Sequence, residues 1–177
     1  MNSSRERPEL FVFAFGVLLL VAATFYAARN GGAVIMSAMC AAGLVAGRAA
    51  GFSNRSLVPL ALGLAFVLVI VWGEVLPLDS QATSAVAHGT GGLLVGWAIS
   101  EYLRDRYIWA LWPLGVLASV FVLGVVWEVF EYLGDRAFGT ALVPKMEDSI
   151  KDVAFGTLGG VVGMLLSLVF PPRSHRS

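Results

Sequence analysis

Long apolar stretches separated by short polar connections run along the chain from residue 10 to residue 170. An α-helix needs about 20 apolar residues to cross the hydrocarbon core of a bilayer. The stretches that meet this length are Leu10–Ala28, Gly31–Ala50, Leu57–Leu76, Thr83–Leu103, Tyr107–Leu133 and Asp148–Phe170. The pattern predicts an all-α polytopic membrane helix bundle of about six transmembrane helices, forming a single transmembrane domain over residues 1–177. Glu6 and Glu9 beside the first stretch favour a retained helix over a cleaved signal peptide.

The composition agrees with a membrane protein. Apolar residues make up 58% of the chain and charged residues 14%, and the mean hydropathy is +0.79. Soluble domains carry about 25% charged residues, so this chain has too few to cover a surface in water. Twelve Lys and Arg residues balance twelve Asp and Glu residues, which argues against nucleic-acid binding because that function needs a basic face.

The distribution of basic residues predicts the orientation, since cytoplasmic loops are enriched in Lys and Arg. With the N-terminus in the cytoplasm, the basic residues on the cytoplasmic side are Arg5, Arg7, Arg48, Arg55, Arg104, Arg106, Arg173 and Arg176. Those on the outer side are Arg29, Arg136, Lys145 and Lys151. An even number of spans then places both termini in the cytoplasm, and we expect a multi-pass protein of the cell (inner or plasma) membrane.

Ionisable residues inside the spans fall at one depth. Such residues are costly in hydrocarbon and commonly mark functional sites. They lie late in odd-numbered spans and early in even-numbered spans, and they are Glu74, His88, Glu128, Glu131, Asp148 and Asp152. Because consecutive spans alternate in direction, these positions meet in the same half of the bundle, which is the outer half in the predicted orientation. At the opposite side we expect a solvated turn formed by Glu101, Arg104, Asp105 and Arg106.

The carboxylates also repeat at helical spacing. Glu128, Glu131 and Asp135 stand at i, i+3 and i+7, while Asp148 and Asp152 stand at i and i+4. Each set lies on one helical face. Two consecutive helices therefore present carboxylates at the depth of the histidine in the fourth span. Carboxylates gathered in a low dielectric repel one another, so they must lose charge or share a cation.

Three arrangements resolve this repulsion. The first is a divalent metal, with ligands predicted to be His88, Glu128, Asp148 and Asp152. Carboxylate oxygens suit Mg, Mn or Ca, and the added imidazole would admit Zn or Fe. The second is protonation, which would make the cluster a proton or cation relay. The third is a set of salt bridges with the basic residues of the outer rim, Arg136, Lys145 and Lys151.

Which of these alternatives applies to a residue depends on how deep it lies in its span. Glu128 and Asp152 lie deepest and are the main functional candidates. Interfacial solvation is the alternative for the carboxylates nearer the span ends, Glu131, Asp135 and Asp148. His88 is either a site residue or a buried histidine hydrogen-bonded to a neighbour, and Glu74 is a candidate at the edge of the third span.

Glycines at small-xxx-small spacing mark the fourth and sixth spans, at positions Gly92, Gly96, Gly156, Gly159, Gly160 and Gly163. Small residues let helix backbones approach closely in a bilayer, where no hydrophobic effect drives helix association. We therefore expect these two spans to form the tightly packed centre of the bundle. The Gly-rich segment after His88 lacks the Lys and the strand of a P-loop, so it does not predict a phosphate cradle.

The C-terminal half resembles two families of membrane proteins. Glu128-Val-Phe-Glu131, then Asp148-x-x-x-Asp152, then Gly159-Gly160-x-x-Gly163 resembles the C-terminal signature of VanZ-like proteins. The same region is similar to YjdF-like bacterial and archaeal inner-membrane proteins, through His88 with Gly92, Trp127-Glu128, and the segment from Asp148 to Gly160. The resemblance covers roughly residues 85–165.

What the resemblance implies is an integral membrane protein. VanZ-like members are associated with resistance to glycopeptide antibiotics such as teicoplanin, which act at the outer membrane face. This chain has Phe155-Gly156 where the family commonly has an Asn after the second Asp, and Lys145 where many members have an Arg. The resemblance therefore does not carry the resistance role over to this chain.

Three functions fit these features. The first is a membrane-embedded enzyme or binding protein that holds a divalent cation and takes an amphiphilic molecule, such as a lipid or polyprenyl phosphate, with His88 and Glu131 as catalytic candidates. The second is a structural or assembly subunit that docks on partner membrane subunits. The third is a cation or proton transporter, which is disfavoured because Arg48 is almost the only ionisable residue in the inner halves of the spans.

Overall fold

The computed structural model of the chain describes residues 8–27, 31–72, 79–104, 106, 111–138 and 146–169. These residues form six α-helices, and the predicted all-α fold class is confirmed. The helices are α1 (Pro8–Ala27), α2 (Gly31–Ala49), α3 (Asn54–Trp72), α4 (Ser80–Arg104), α5 (Trp112–Phe138) and α6 (Met146–Val169).

Five of the six helices are long and apolar enough to cross a membrane: α1, α2, α3, α5 and α6. These five establish a polytopic membrane bundle. Helix α4 has 25 residues but is less apolar than the other five, because Ser, Thr, Gly and His residues crowd its first half and Glu101 and Arg104 occupy its last turn. It packs on both α5 and α6, so protein neighbours cover much of its surface.

The helix bounds follow the predicted spans with one clear difference. Helix α5 continues to Phe138, past the predicted end at Leu133. Pro113 stands in its first turn, where a missing backbone N–H costs nothing. The predicted span ends that lie outside the described residues are Ala28, Leu76, Tyr107 and Phe170.

The chain divides into two compact units, Met1–Asp79 and Ser80–Ser177. In the first unit, α1, α2 and α3 pack on one another around buried side chains that include Ala14, Leu18, Ala33, Met36, Leu57 and Ala61. Helix α2 ends at Ala49, and Gly51 follows it with a φ of 86°, in the left-handed region that glycine adopts without a steric penalty. The Phe52 amide then donates to the Gly47 carbonyl at 3.0 Å, which closes the helix end.

In the second unit, α4 and α6 lie parallel and touch through glycines. Gly92 faces Gly156, and Gly96 faces Gly160, so residue numbers rise together along the two helices. A Cβ atom on either Gly92 or Gly96 would collide with the backbone of α6. The two helices can approach this closely only because α4 has no side chain at Gly92 and Gly96.

Glycines of α6 make corresponding close contacts with the backbone of α4. A Cβ atom on Gly159 would strike the Gly89 carbonyl oxygen, and one on Gly163 would strike the Leu93 carbonyl oxygen. Gly156 differs, because the nearest atom to a Cβ there is the His88 carbonyl oxygen at 3.7 Å, an ordinary contact distance. A Cβ atom therefore has room at Gly156 but not at Gly159 or Gly163.

Helix α5 runs antiparallel to this pair. Its Val120 side chain packs on Gly160, and its Gly124 lies beside Val153, so residue numbers fall along α6 as they rise along α5. At the start of α5, Gly115 lies against the Leu103 side chain of α4. The second unit is thus an up-down-up arrangement in which the C-terminal part of α5 meets the N-terminal parts of α4 and α6.

A polar network ties the other ends of α4 and α6 together. The Ser100 and Ser167 hydroxyls are 2.5 Å apart, and the Arg104 guanidinium donates to the Ser167 carbonyl at 2.8 Å. Arg104 Nη2 also lies 3.8 Å from Glu101 Oε1, and the Glu101 side chain is buried. The predicted solvated turn is therefore wrong for Glu101 and Arg104, since a cation near a helix C-terminus binds its last carbonyls. Asp105 lies outside the described residues.

Replacing Gly96 with alanine is expected to destabilise the second unit, because the added Cβ meets the backbone of α6. Overpacking of this kind costs about 1–3 kcal/mol. Gly156→Ala is the matched control, since its Cβ has ordinary van der Waals room. Thermal unfolding of the detergent-solubilised protein measures both, and equal loss in the two variants would contradict the close packing described here.

Candidate metal centre

Three helices of the second unit bring His88, Glu128 and Asp152 together. One ligand atom from each side chain lies within 4.8 Å of the other two. Nδ1 of His88 is 3.7 Å from Oε1 of Glu128, and its Nε2 is 3.8 Å from Oδ2 of Asp152. The imidazole thus stands between two carboxylates that come from different helices.

The glycine contacts explain why these residues meet. His88 and Asp152 each precede by four residues the first pair of touching glycines, Gly92 on α4 and Gly156 on α6. Because α4 and α6 are parallel and in register at that pair, the residues one turn earlier stand side by side. The antiparallel α5 then brings Glu128 to the same level.

The cluster is largely shielded from solvent. Exposed fractions are 12% for the His88 side chain, 10% for Glu128 and 14% for Asp152. Both separations from the imidazole are longer than a hydrogen bond, and Oε1 of Glu128 is buried with no hydrogen-bond partner. A buried carboxylate oxygen without a partner is costly, and a bound cation would satisfy it.

The charges of the three side chains bear on which ion they could hold. Two carboxylates with a protonated histidine would leave a net charge of −1 in a low dielectric, whereas two carboxylates with a neutral histidine and a dication sum to zero. Paired and neutralised charges are the form in which ionic groups are tolerated inside proteins and membranes. The residues present therefore fit a divalent cation.

Glu131 lies beside this group but outside it. Its side chain is buried, and Nε1 of Trp127 donates a hydrogen bond to its Oε1 at 2.7 Å. Its charge interacts with those of Glu128, Asp152 and Asp135. The structure therefore places Glu131 as a second buried carboxylate, held by an indole, one turn further along α5.

Asp148 is in a different environment. Its Oδ1 lies 3.6 Å from Nζ of Lys151, in an i, i+3 pair whose lysine is half exposed. Among the described residues it does not join the group formed by His88, Glu128 and Asp152. For Asp148 the structure thus shows the salt-bridge alternative, because its position on α6 turns it toward Lys151.

The remaining candidates predicted for the outer side are Arg136, Glu74 and Lys145. The Arg136 guanidinium lies 5.4 Å from the centre of the Tyr132 ring, a cation–π contact. Glu74 and Lys145 lie outside the described residues.

Sequence reasoning missed that Trp127 acts as a hydrogen-bond donor beside the site. Its Nε1 donates to Oε1 of Glu131 at 2.7 Å. The signal in the sequence was the i, i+4 spacing of the two residues, which puts them on one face of α5.

Comparison of the chain with protein-family models, with curated proteins and with solved structures finds no match in any of the three. The resemblance to VanZ-like and YjdF-like proteins therefore stays a prediction carried by the motifs themselves. The His, Trp-Glu and Asp-x-x-x-Asp elements of that resemblance supply the clustered residues His88, Glu128 and Asp152.

Proposed function

We propose that this chain is a multi-pass protein of the cell membrane that binds a divalent cation at His88, Glu128 and Asp152 and uses it on an amphiphilic, lipid-like molecule. The observation that carries the proposal is the convergence of three ligand atoms from three helices within 4.8 Å. One of them, Oε1 of Glu128, is buried without a hydrogen-bond partner. A bound cation would satisfy that oxygen and neutralise the two carboxylates.

The donor set favours a first-row transition metal. One imidazole nitrogen with two carboxylate oxygens suits Mn, Fe or Zn better than Mg, which prefers oxygen ligands and retains its waters. In a tetrahedral zinc site, bonds of about 2.0–2.2 Å separate the ligand atoms by about 3.3–3.6 Å. The three ligand atoms here lie within 4.8 Å of one another, so the side chains would have to move closer together to bind a zinc ion.

Three protein ligands leave a coordination position for water or substrate, the arrangement that distinguishes catalytic from structural zinc sites. A cation bound there supplies Lewis-acid chemistry on a phosphoryl or carbonyl oxygen. Glu131 is the candidate proton acceptor, because it is buried next to the ligands and oriented by Trp127. His88 serves as a ligand in this arrangement, and it would act as the base only if the two carboxylates alone held the ion.

The surroundings of the site favour a substrate with an apolar part. Large side chains at this level of α5 and α6 are exposed on the protein surface, among them Val125, Val129, Tyr132 and Phe155. In a bilayer such residues contact lipid chains. A lipid or polyprenyl phosphate would lay its chain along these residues and its headgroup at the cation.

Transport between α4 and α6 is disfavoured by the packing. One turn past the cluster the backbones of the two helices touch at Gly92 and Gly156, and again at Gly96 and Gly160. An ion cannot pass between backbones in contact. The cluster is therefore better explained as a binding site than as the entrance to a path between these helices.

Titration of the purified full chain with Zn²⁺ or Mn²⁺ in detergent is expected to show one saturable site. Glu128→Gln and Asp152→Asn should abolish it, because each removes a charged ligand. Glu147→Gln is the control, since Glu147 is exposed on the same helix as Asp152. A chelator should also lower the unfolding temperature, since a ligand at 100 times its Kd stabilises the folded state by about 2.7 kcal/mol.

The same titration distinguishes a metal-binding protein from an assembly subunit, and it tests whether Asp148 is a ligand. Absence of saturable binding in the wild-type protein would refute the metal site and favour an assembly subunit. Asp148→Asn should retain full affinity because its carboxylate pairs with Lys151. Loss of binding in that variant would contradict the three-ligand site.

Glu131→Gln is expected to keep metal affinity and to lose activity. Glu131 lies outside the ligand group, whereas removal of a general base typically costs about 10²–10⁴-fold in rate. Release of inorganic phosphate from a polyprenyl or lipid phosphate by the metal-loaded protein measures the rate. Unchanged turnover in Glu131→Gln would remove Glu131 from the proposed chemistry.

A further inference from the structure

We infer that Arg136 binds the negatively charged headgroup of a lipid whose chain lies along α5, so that the amphiphile taken by this protein is an anionic lipid. The inference deepens the proposed function by assigning the charge of the ligand and the residue that recognises it. It rests on the proposed function only for the role of that lipid as a substrate. Arg136 stands in the last turn of α5.

One face of α5 is a row of exposed side chains that ends at Arg136. Val125, Val129 and Tyr132 stand at i, i+4 and i+7, and Arg136 follows at i+11, which is the spacing of a single helical face. The first three residues are between 41% and 51% exposed, and Arg136 is exposed as well. These four residues form the α5 stripe. In a bilayer such a face contacts lipid chains, so a chain lying on the stripe reaches the guanidinium.

The α5 stripe borders the candidate metal centre. Val129 directly follows Glu128, and Tyr132 directly follows Glu131. Each of these two stripe residues therefore lies about 100° around the helix from a carboxylate at nearly the same level. The carboxylates are buried, whereas the stripe residues are exposed. A lipid on the stripe thus passes beside the proposed metal ligand of α5.

The Arg136 side chain folds back toward this level. Its guanidinium lies 5.4 Å from the centre of the Tyr132 ring, which belongs to the preceding turn of α5. Tyr132 itself follows Glu128 by about 6 Å along the helix axis. A headgroup held by the guanidinium would therefore lie about one helical turn from the level of the proposed cation.

The neighbouring carboxylates give the guanidinium a reason to be there. Glu128 and Glu131 are buried one position before the stripe, and negative charges in a low dielectric repel a phosphate. A phosphate can approach them only where positive charge offsets this repulsion. Arg136 supplies one such charge on the lipid-facing side of α5, and a bound dication would supply the other.

A second arginine of the same unit shows the contrasting case. Arg106 also lies over the tyrosine four residues before it, 4.0 Å from the ring centre of Tyr102, but its Nη1 donates to the Tyr102 carbonyl at 3.3 Å. Among the described residues, the contact of Arg136 is with the Tyr132 ring, and no hydrogen bond or salt bridge engages its guanidinium. A guanidinium has five N–H donors and binds phosphate oxygens in pairs, so Arg136 can serve an external anion.

Headgroup binding differs from anchoring at the membrane surface. A long basic side chain that only extends to the interface interacts with any phospholipid surface and gives no saturable binding of a single lipid. An arginine that holds one headgroup gives saturable binding that depends on the charge of that headgroup. The two roles are therefore separated by titration with lipids that share their chains and differ in their headgroups.

The test titrates the full chain, in a neutral detergent with a chelator present, with dioctanoyl phosphatidic acid and with dioctanoyl phosphatidylcholine. We expect saturable binding of phosphatidic acid that is about tenfold tighter than that of phosphatidylcholine, the scale of a hydrogen bond to a charged group. Arg136→Gln should remove this preference. Arg106→Gln is the matched control and should keep it, because Arg106 is engaged by a backbone carbonyl.

Inorganic phosphate distinguishes a lipid headgroup from a free phosphate. It should compete poorly with phosphatidic acid, because it has no chains to lie on the α5 stripe. Competition at the concentration at which phosphatidic acid itself binds would show a free-phosphate site and overturn the lipid assignment. Self-association that requires Arg136, without a preference between lipids, would assign this face to a second copy of the chain and also overturn it.

The remaining outcomes bear on Arg136 directly. Equal affinity for the two lipids in the wild type, or an unchanged preference in Arg136→Gln, overturns its role. If Arg136→Gln does not fold, as judged by thermal unfolding, Arg136→Lys takes its place. That variant keeps the charge but loses the paired donors, so it should weaken phosphatidic acid binding and leave phosphatidylcholine binding unchanged. An affinity equal to that of the wild type would overturn the inference.

The lipid titration and the metal titration fail independently. A wild type that binds phosphatidic acid through Arg136 but takes up no Zn²⁺ or Mn²⁺ overturns the proposed function and leaves the headgroup site standing. A wild type that binds the metal but shows no preference for the anionic lipid overturns the headgroup site alone.

Discussion

The contact between the backbones of α4 and α6 is the constraint on which the second unit depends. In a bilayer, helices associate through close packing and polar contacts, because lipid is as apolar as their side chains. Gly92 against Gly156 and Gly96 against Gly160 provide that close packing. They also fix the register of the two helices, so the polar residues beyond each end of the glycine stretch are brought into pairs.

The two ends of this stretch carry different chemistry. At one end, Ser100 and Ser167 share a hydrogen bond and Arg104 binds the last carbonyls of α6, so the polar groups satisfy one another. At the other end, His88 and Asp152 meet Glu128 without a hydrogen bond between them. The first arrangement is complete as it stands, whereas the second could hold a metal ion, and this difference is the basis for the proposed binding site.

Much of the site could be predicted from hydropathy and helical spacing alone. These patterns placed His88, Glu128 and Asp152 at one depth, because span direction alternates and the depth of a residue follows from its place along a span. They also marked the glycines of α4 and α6 as packing positions. Helix α4 is less apolar than the other helices for a related reason. A helix that contributes to a site and to close helix contacts needs less lipid-facing surface.

The sequence by itself determined the all-α membrane class, the course of the helices and the depth of the ionisable residues, because each depends on local composition and period. Only the tertiary structure decided which carboxylates meet. Asp148 pairs with Lys151, Glu101 is buried beside Arg104, and His88 stands between Glu128 and Asp152. These outcomes depend on the rotation of each helix about its own axis, which is set by the backbone contacts between helices and not by any one helix alone.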